Sequence, residues 1–196
     1  MSRSPIRVGL IGLSASGSWA SAAHLPYLQQ STRYRIAALC NSSADAARAA
    51  IAAYGLPPST KAYGSYQDLA DDPDVDLVVC SVRVDRHRDA VAPAVRAGKH
   101  CYCEWPLGRD LAEAEELARL AGATGARTMV GLQAHHSPVV AKVRELVEGG
   151  RVGRVLSVDF VGAAYNFGQQ ELAKYRYLNQ REVGGNMVTI HFSHCG

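Results

Sequence analysis

The stretch GLIGLSASGSWASAAH (9–24) holds the residue types that a phosphate group needs. Gly12 and Gly17 can turn the chain without a Cβ in the way, and Leu13, Ser14 and Ser16 lie beside them in the same turn. Where such a turn joins a strand to a helix, free backbone N–H groups meet the pyrophosphate of a dinucleotide. The fingerprint is weakened, because Ser14 stands where the middle glycine would let backbone approach phosphate, although its hydroxyl can bind phosphate itself. A plain turn of small residues is the bland reading of the same stretch; its place in a βαβ unit favours the nucleotide.

The stretch LCNSSAD (39–45) should close the second strand, where a carboxylate would accept hydrogen bonds from the ribose 2′-OH of NAD. Here Cys40, Asn41, Ser42 and Ser43 come first, and no acid precedes Asp45. Losing that carboxylate removes repulsion against a 2′-phosphate, and Ser42, Ser43 and Arg48 are candidates to bind it. NADP is therefore expected in preference to NAD. Ser43 also reads as the cap of the following helix with Asp45 complementing its dipole, and both readings can hold together.

Five cysteines, at 40, 80, 101, 103 and 195, lack the spacing of a zinc motif. Cys101 and Cys103 alternate around Tyr102 and would share one face of a strand. Buried reduced thiols are expected rather than disulfides, and no metal site is expected. His135 and His136 are adjacent, so on a strand they would face opposite sides and could not chelate together. Arg83, Asp85 and Arg86 read as a solvated charged loop.

These residues need a scaffold, and its beat is regular. Apolar runs at 6–12, 35–40, 76–82, 99–103 and 127–132 read as strands, and 43–55, 86–98, 109–125 and 137–150 as helices. Continuous apolar strands between amphipathic helices predict an α/β fold: a Rossmann-type, doubly wound parallel sheet over residues 1–135. After Gly153 the pattern changes, and RVLSVDFVGAAY (154–165) alternates like a strand with one covered face. Residues 136–196 are expected to be the truncated start of an α+β substrate and oligomerisation domain, because the last residues read as a helix cut in mid-course.

Composition narrows the classes of function. Apolar residues make up 47% of the 196 positions, and the formal charge of +3 is scattered, so nucleic-acid binding has no electrostatic support. Neither a secretory signal nor an apolar run of about 18 residues is present, so no membrane role is expected. A cytoplasmic setting is.

AGKHCYCEWPLGRDLAEAEEL (97–117) resembles the signature block of the Gfo/Idh/MocA (glucose–fructose oxidoreductase/inositol dehydrogenase) family. DLVVCSVRVDRH (76–87), LVEGGRVGRVLSV (146–158) and GGNMVTIHFSH (184–194) resemble its nicotinamide-side loop, the entry to its second domain and its substrate-domain helix. The resemblance implies cofactor contacts at Ser81, Val82, Arg83, His87, Glu104, Trp105, Pro106 and Gln133, with His194 as the catalytic histidine. It also implies hydride transfer on a sugar, polyol or related hydroxy compound, and a homo-oligomer at full length.

Two positions depart from the family. Trp105 stands where the family has a lysine, and Ile190 where it has an aspartate. An indole cannot replace an ammonium in proton transfer, though its face stacks well on a sugar. The loop between Gly12 and His24 is longer than the family norm. It resembles that of the fungal galactose/lactose regulatory-repressor branch, which also has Glu-Trp at this point. That branch implies a second expectation: a dinucleotide-binding regulator acting through a protein partner. Trp105–Pro106 is a candidate cis bond.

Overall fold

A computed structural model describes residues 4–159, 161, 173–186, 188–190 and 194. The chain divides into two units, Met1–Gly131 and Leu132–Gly196.

In the first unit six parallel strands, β1 (Ile6–Ile11), β2 (Tyr34–Cys40), β3 (Lys61–Tyr63), β4 (Leu77–Cys80), β5 (His100–Glu104) and β6 (Thr128–Gly131), form one sheet in the order β3-β2-β1-β4-β5-β6. Five helices connect them: α1 (Leu25–Gln30), α2 (Ala44–Ala53), α3 (Tyr66–Asp71), α4 (His87–Arg96) and α5 (Leu111–Thr124). The strand order reverses on either side of β1, and a doubly wound sheet binds ligands in the crevice beyond the carboxyl ends at that switch.

Strand pleating accounts for the two cores. Val8 and Leu10 pack on one face with Leu25, Leu28, Leu39 and Ala47. Ile11 packs on the other with Val78, Val91, Val95 and Leu117. Buried on both faces, β1 and β4 carry apolar residues at successive positions instead of alternating. The helix ends follow local chemistry: Ser43 and Asp110 accept hydrogen bonds from Ala46 N and Glu113 N, and Gly125 closes α5 with φ +69°.

The expected doubly wound sheet is present. Sequence reading missed β3 and α3: KAY is three residues long with no apolar run, and its strand conformation comes from pairing with β2.

The second unit begins with a 3₁₀ turn, Gln133–His136, followed by α6 (Pro138–Glu148). Further on are 3₁₀ turns at Ala173–Asn179 and Arg181–Val183, and helical residues at 188–190 and 194. His135 and His136 therefore lie in a 3₁₀ turn and not on a strand, and both are exposed. The strand expected over 154–165 is absent from its described part, since residues 155–159 have no regular structure; 160 and 162–165 lie outside the described residues. Alternation alone does not make a strand. Its N–H and C=O groups need a paired neighbour, and among the described residues none lies beside it.

One face of α6 presents Val139, Val143 and Val147 to solvent, and Leu156 and Val158 are exposed beyond it. Apolar exposure on this scale drives association. The 196-residue chain is expected to self-associate at micromolar concentration, and Val143→Glu to reduce this in light scattering. Among the described residues, no helix is long and apolar enough to cross a membrane.

Candidate dinucleotide site

The turn after β1 is built around two left-handed glycines. Gly12 has φ +96°, and a Cβ there would lie 2.3 Å from the Ser81 carbonyl oxygen, so the backbone just after β4 occupies the space of any side chain. Gly17 has φ +95° but open space around it, so there only the dihedral asks for glycine. The turn is tied down from two directions. Asn41 Nδ2 donates to the carbonyls of Leu13 (2.8 Å) and Ala46 (3.3 Å), and the Tyr54 hydroxyl donates to the Ser14 carbonyl at 2.7 Å. Tyr54 was invisible in the sequence because its partner is 40 positions away. The Leu13 side chain is fully buried, which leaves only its backbone for a ligand. The Ser14 and Ser16 hydroxyls lie 3.0 Å apart at the surface.

At the end of β2, Asn41 spends both amide hydrogens on the chain itself. Ser42 and Ser43 are exposed. The Ser43 hydroxyl accepts from Ala46 N and so keeps its own hydrogen to donate. Arg48, the other candidate for a 2′-phosphate, is paired with Asp45 at 2.5 Å. Both side chains are well exposed, so this pair contributes little and Arg48 is free to exchange partners.

The ends of β4 and β5 complete the crevice. Ser81 Oγ is buried and has no hydrogen-bond partner, an orphan that a ligand would satisfy. Arg83 makes a two-pronged contact with Asp85, 2.6 Å on each prong, in keeping with a solvated loop. Trp105–Pro106 is cis. His87 is almost fully buried, with Nδ1 2.7 Å from the Pro106 carbonyl and Nε2 3.0 Å from the Val82 carbonyl. It thereby clamps the loop after β4 to the turn after β5.

Burial pushes the His87 pKa below its ordinary value, against the two carbonyls and Glu104, which raise it. The ring is thus neutral at pH 7 and donates to one carbonyl at a time. A histidine with a depressed folded-state pKa holds fewer protons than its unfolded counterpart. Its contribution to stability is therefore complete above about pH 6.5 and is lost as pH falls through that value toward the folded pKa. His87→Asn should flatten the fall in urea midpoint between about pH 6.5 and pH 5.

Cys80, His87 and Cys103 bring their ligand atoms within 4.8 Å of one another, all buried. This is a soft-metal donor set in outline, yet both imidazole nitrogens already face carbonyls, and ligation would break one of those contacts. The Cys103 thiol is also held protonated. A hydrogen bond to Cys80, then burial, raises Cys103 well above the ordinary thiol value, while burial pushes Cys40 and Cys101 up to about 12. Cys40, Cys80, Cys101 and Cys103 are free and buried, and Cys195 lies outside the described residues.

Sequence reasoning missed one partner of Glu104. His24, at the end of a π-helical turn Ala20–His24 that follows the glycine turn, places Nε2 2.5 Å from Glu104 Oε1. The signal was present as a histidine beside the fingerprint, but only the fold shows what it meets 80 positions on. In the second unit Gln133 opens the first 3₁₀ turn, Ile190 is half-buried in a helical segment, and His194 is helical and half-buried.

The glycine cradle under Ser81 and the orphaned hydroxyl beside it fit a dinucleotide. A family model described as an oxidoreductase family with an NAD-binding Rossmann fold matches residues 6–132. The chain belongs to the Gfo/Idh/MocA oxidoreductase family. A second model, the C-terminal domain of Gal80p, matches residues 138–195. The dehydrogenase aclE of Aspergillus oryzae is 38% identical, over 96% of this chain and 52% of its own length. A super-repressor mutant of Gal80p from Saccharomyces cerevisiae superposes with a TM-score of 0.88 at 29% identity, over 97% of this chain and 51% of that one. A 3-ketoreductase from Actinomadura kijaniata, solved with NADP, gives 0.65 at 28% identity, over 76% of this chain and 45% of that one. This Gfo/Idh/MocA chain thus spans about half the length of the relatives it matches.

Proposed function

We propose that this chain binds NADP in preference to NAD and belongs to a protein that transfers hydride between it and a sugar, polyol or related hydroxy compound. The observation that carries the cofactor reading is the Gly12 turn pressed against the Ser81 carbonyl beneath an unpartnered Ser81 hydroxyl. Gly12, Leu13 (by its backbone), Ser14, Ser16 and Gly17 hold the pyrophosphate; Ser42, Ser43 and Arg48 hold the 2′-phosphate, with Asn41 bracing the turn. Ser81, Val82, Arg83, His87, Glu104, Trp105 and Pro106 are assigned to the nicotinamide end, and Gln133 is assigned a cofactor contact from the family resemblance alone. When bound, the cofactor supplies the hydride acceptor or donor, and His194 serves as the base.

A second reading is favoured by Trp105, which puts a group without a titratable proton at the family lysine position, and by the Gal80p-like second half. In it the protein is a dinucleotide-binding regulator acting through a protein partner. Under both readings the full-length protein is a homo-oligomer in the cytoplasm. Neither calls for a metal, a membrane or nucleic acid.

Fluorescence titration of the full-length protein with NADPH and, in parallel, NADH tests what the two readings share. Selective binding of NADPH is expected, and binding of neither dinucleotide overturns both. Asp45→Asn should sharpen the selectivity. Freed from its exposed partner, Arg48 turns to the 2′-phosphate, so NADPH should bind about three- to fivefold more tightly and NADH unchanged.

A further inference from the structure

Trp105 leaves its position without a titratable proton, yet the residue before it is a carboxylate that is only 8% exposed. Glu104 ends β5, at the carboxyl edge where a doubly wound sheet takes its ligand. A buried carboxylate is costly unless paired, and His24 Nε2 lies 2.5 Å from its Oε1. The surroundings are shaped for this pair. The His24 ring meets Tyr102 edge-on, with centroids 5.3 Å apart. On β6, a Cβ at Gly131 would come within 2.5 Å of the Tyr102 hydroxyl and 2.8 Å of Glu104 Oε2, so the neighbouring strand leaves the side chain out to make room. Four separated stretches of chain converge here: the end of the phosphate loop, β5, β6 and α4, whose His87 feels the Glu104 charge. Among the described residues, further titratable neighbours are Tyr102 and Cys103 on β5, with Cys80 of β4 beyond them.

We propose that His24 and Glu104 form the acid–base couple of this site, holding one proton between them and releasing it to solvent when an oxidised nicotinamide binds. The inference rests on the dinucleotide reading above. With its shared proton the pair is neutral overall; without it the pair carries one negative charge. The nicotinamide ring is cationic in NADP⁺ and neutral in NADPH. Linkage is reciprocal, so a cation that favours the deprotonated pair must expel the proton, and the deprotonated pair must favour the oxidised cofactor. The proton passes from the couple to water, and no covalent bond to the cofactor forms or breaks. His24 acts through Glu104 and is a positioning residue, supplied by the longer loop that also cradles the phosphates.

Calorimetric titrations of the full-length protein with NADP⁺ and with NADPH, in buffers of different ionisation enthalpy at neutral pH, count the protons released by each. Greater release is expected for NADP⁺ than for NADPH, with the difference vanishing in Glu104→Gln and in His24→Gln. Equal release for the two forms in the unmodified protein overturns the inference, as does a difference that survives in both variants. The comparison of two ligands on one unmodified protein needs no variant to fold. Should both dinucleotides bind without a proton difference, the couple alone is refuted. Should neither bind, the dinucleotide reading falls and takes the couple with it.

Discussion

Gly12→Ala should weaken dinucleotide binding at least about a hundredfold and destabilise the first unit by about 3 kcal/mol, through a strained dihedral and a clash together. The dihedral at this residue is left-handed, which costs an alanine about 1–2 kcal/mol by itself. Its Cβ would then sit 2.3 Å from the Ser81 carbonyl oxygen and 2.8 Å from its carbon. Both atoms are backbone at the end of β4, so no rotamer relieves the contact and the turn must move off the sheet. A displaced turn loses its aim at the pyrophosphate, and affinity for NADPH should fall by at least about a hundredfold, or about 2.7 kcal/mol. Gly17→Ala is the internal comparison. Its dihedral is equally left-handed but nothing lies within 4 Å of the added methyl, so only the conformational part of the cost, about 1–2 kcal/mol, should remain. Urea denaturation and NADPH titration of the two variants separate these contributions. Equal losses in both would show that the close approach to Ser81 has no effect.

His24→Ala should destabilise the chain by about 3 kcal/mol, because it removes one hydrogen-bonded partner of a buried carboxylate. The loss is not mainly the value of the lost contact. It is the desolvation of Glu104 left without that partner, which is why breaking a buried pair costs more than replacing both members. The double variant His24→Ala/Glu104→Gln should therefore be more stable than His24→Ala alone, with a coupling of about 2 kcal/mol in the cycle. Strict additivity of the two single changes would mean that His24 contributes packing against Tyr102 and no charge pairing.

Much of this molecule can be read from adjacent residues. The apolar runs at β1, β2, β4 and β5 are continuous because both faces of the sheet are covered, and that continuity between amphipathic helices marks a doubly wound fold. The helix starts at Ser43 and Asp110 follow from side chains that reach backbone N–H groups three residues on. Such interactions are local, so spacing along the chain is their whole specification. The same holds for the turn glycines, where a positive φ is a property of one residue.

Where sequence reading failed, the missing information was a distant partner. KAY is a strand because β2 offers it hydrogen bonds, whereas the alternating residues 155–159 are no strand because pattern without a neighbour leaves backbone groups unpaired.

Spacing along the chain specified the class of fold, the position of the glycine turn after β1, and the absence of both an acid at the end of β2 and a lysine at position 105. The tertiary structure alone decided what the residues at the crevice do. It set Gly12 against Ser81, left the Ser81 hydroxyl without a partner, closed the Tyr54 tether on Ser14, and joined His24 to Glu104 across 80 positions. The physical reason is one of range. Propensity, capping and periodicity act over a few residues and are written along the chain. A buried charge or an orphaned hydroxyl is defined by what packing brings around it, and that is settled only when the strands take their places in the sheet.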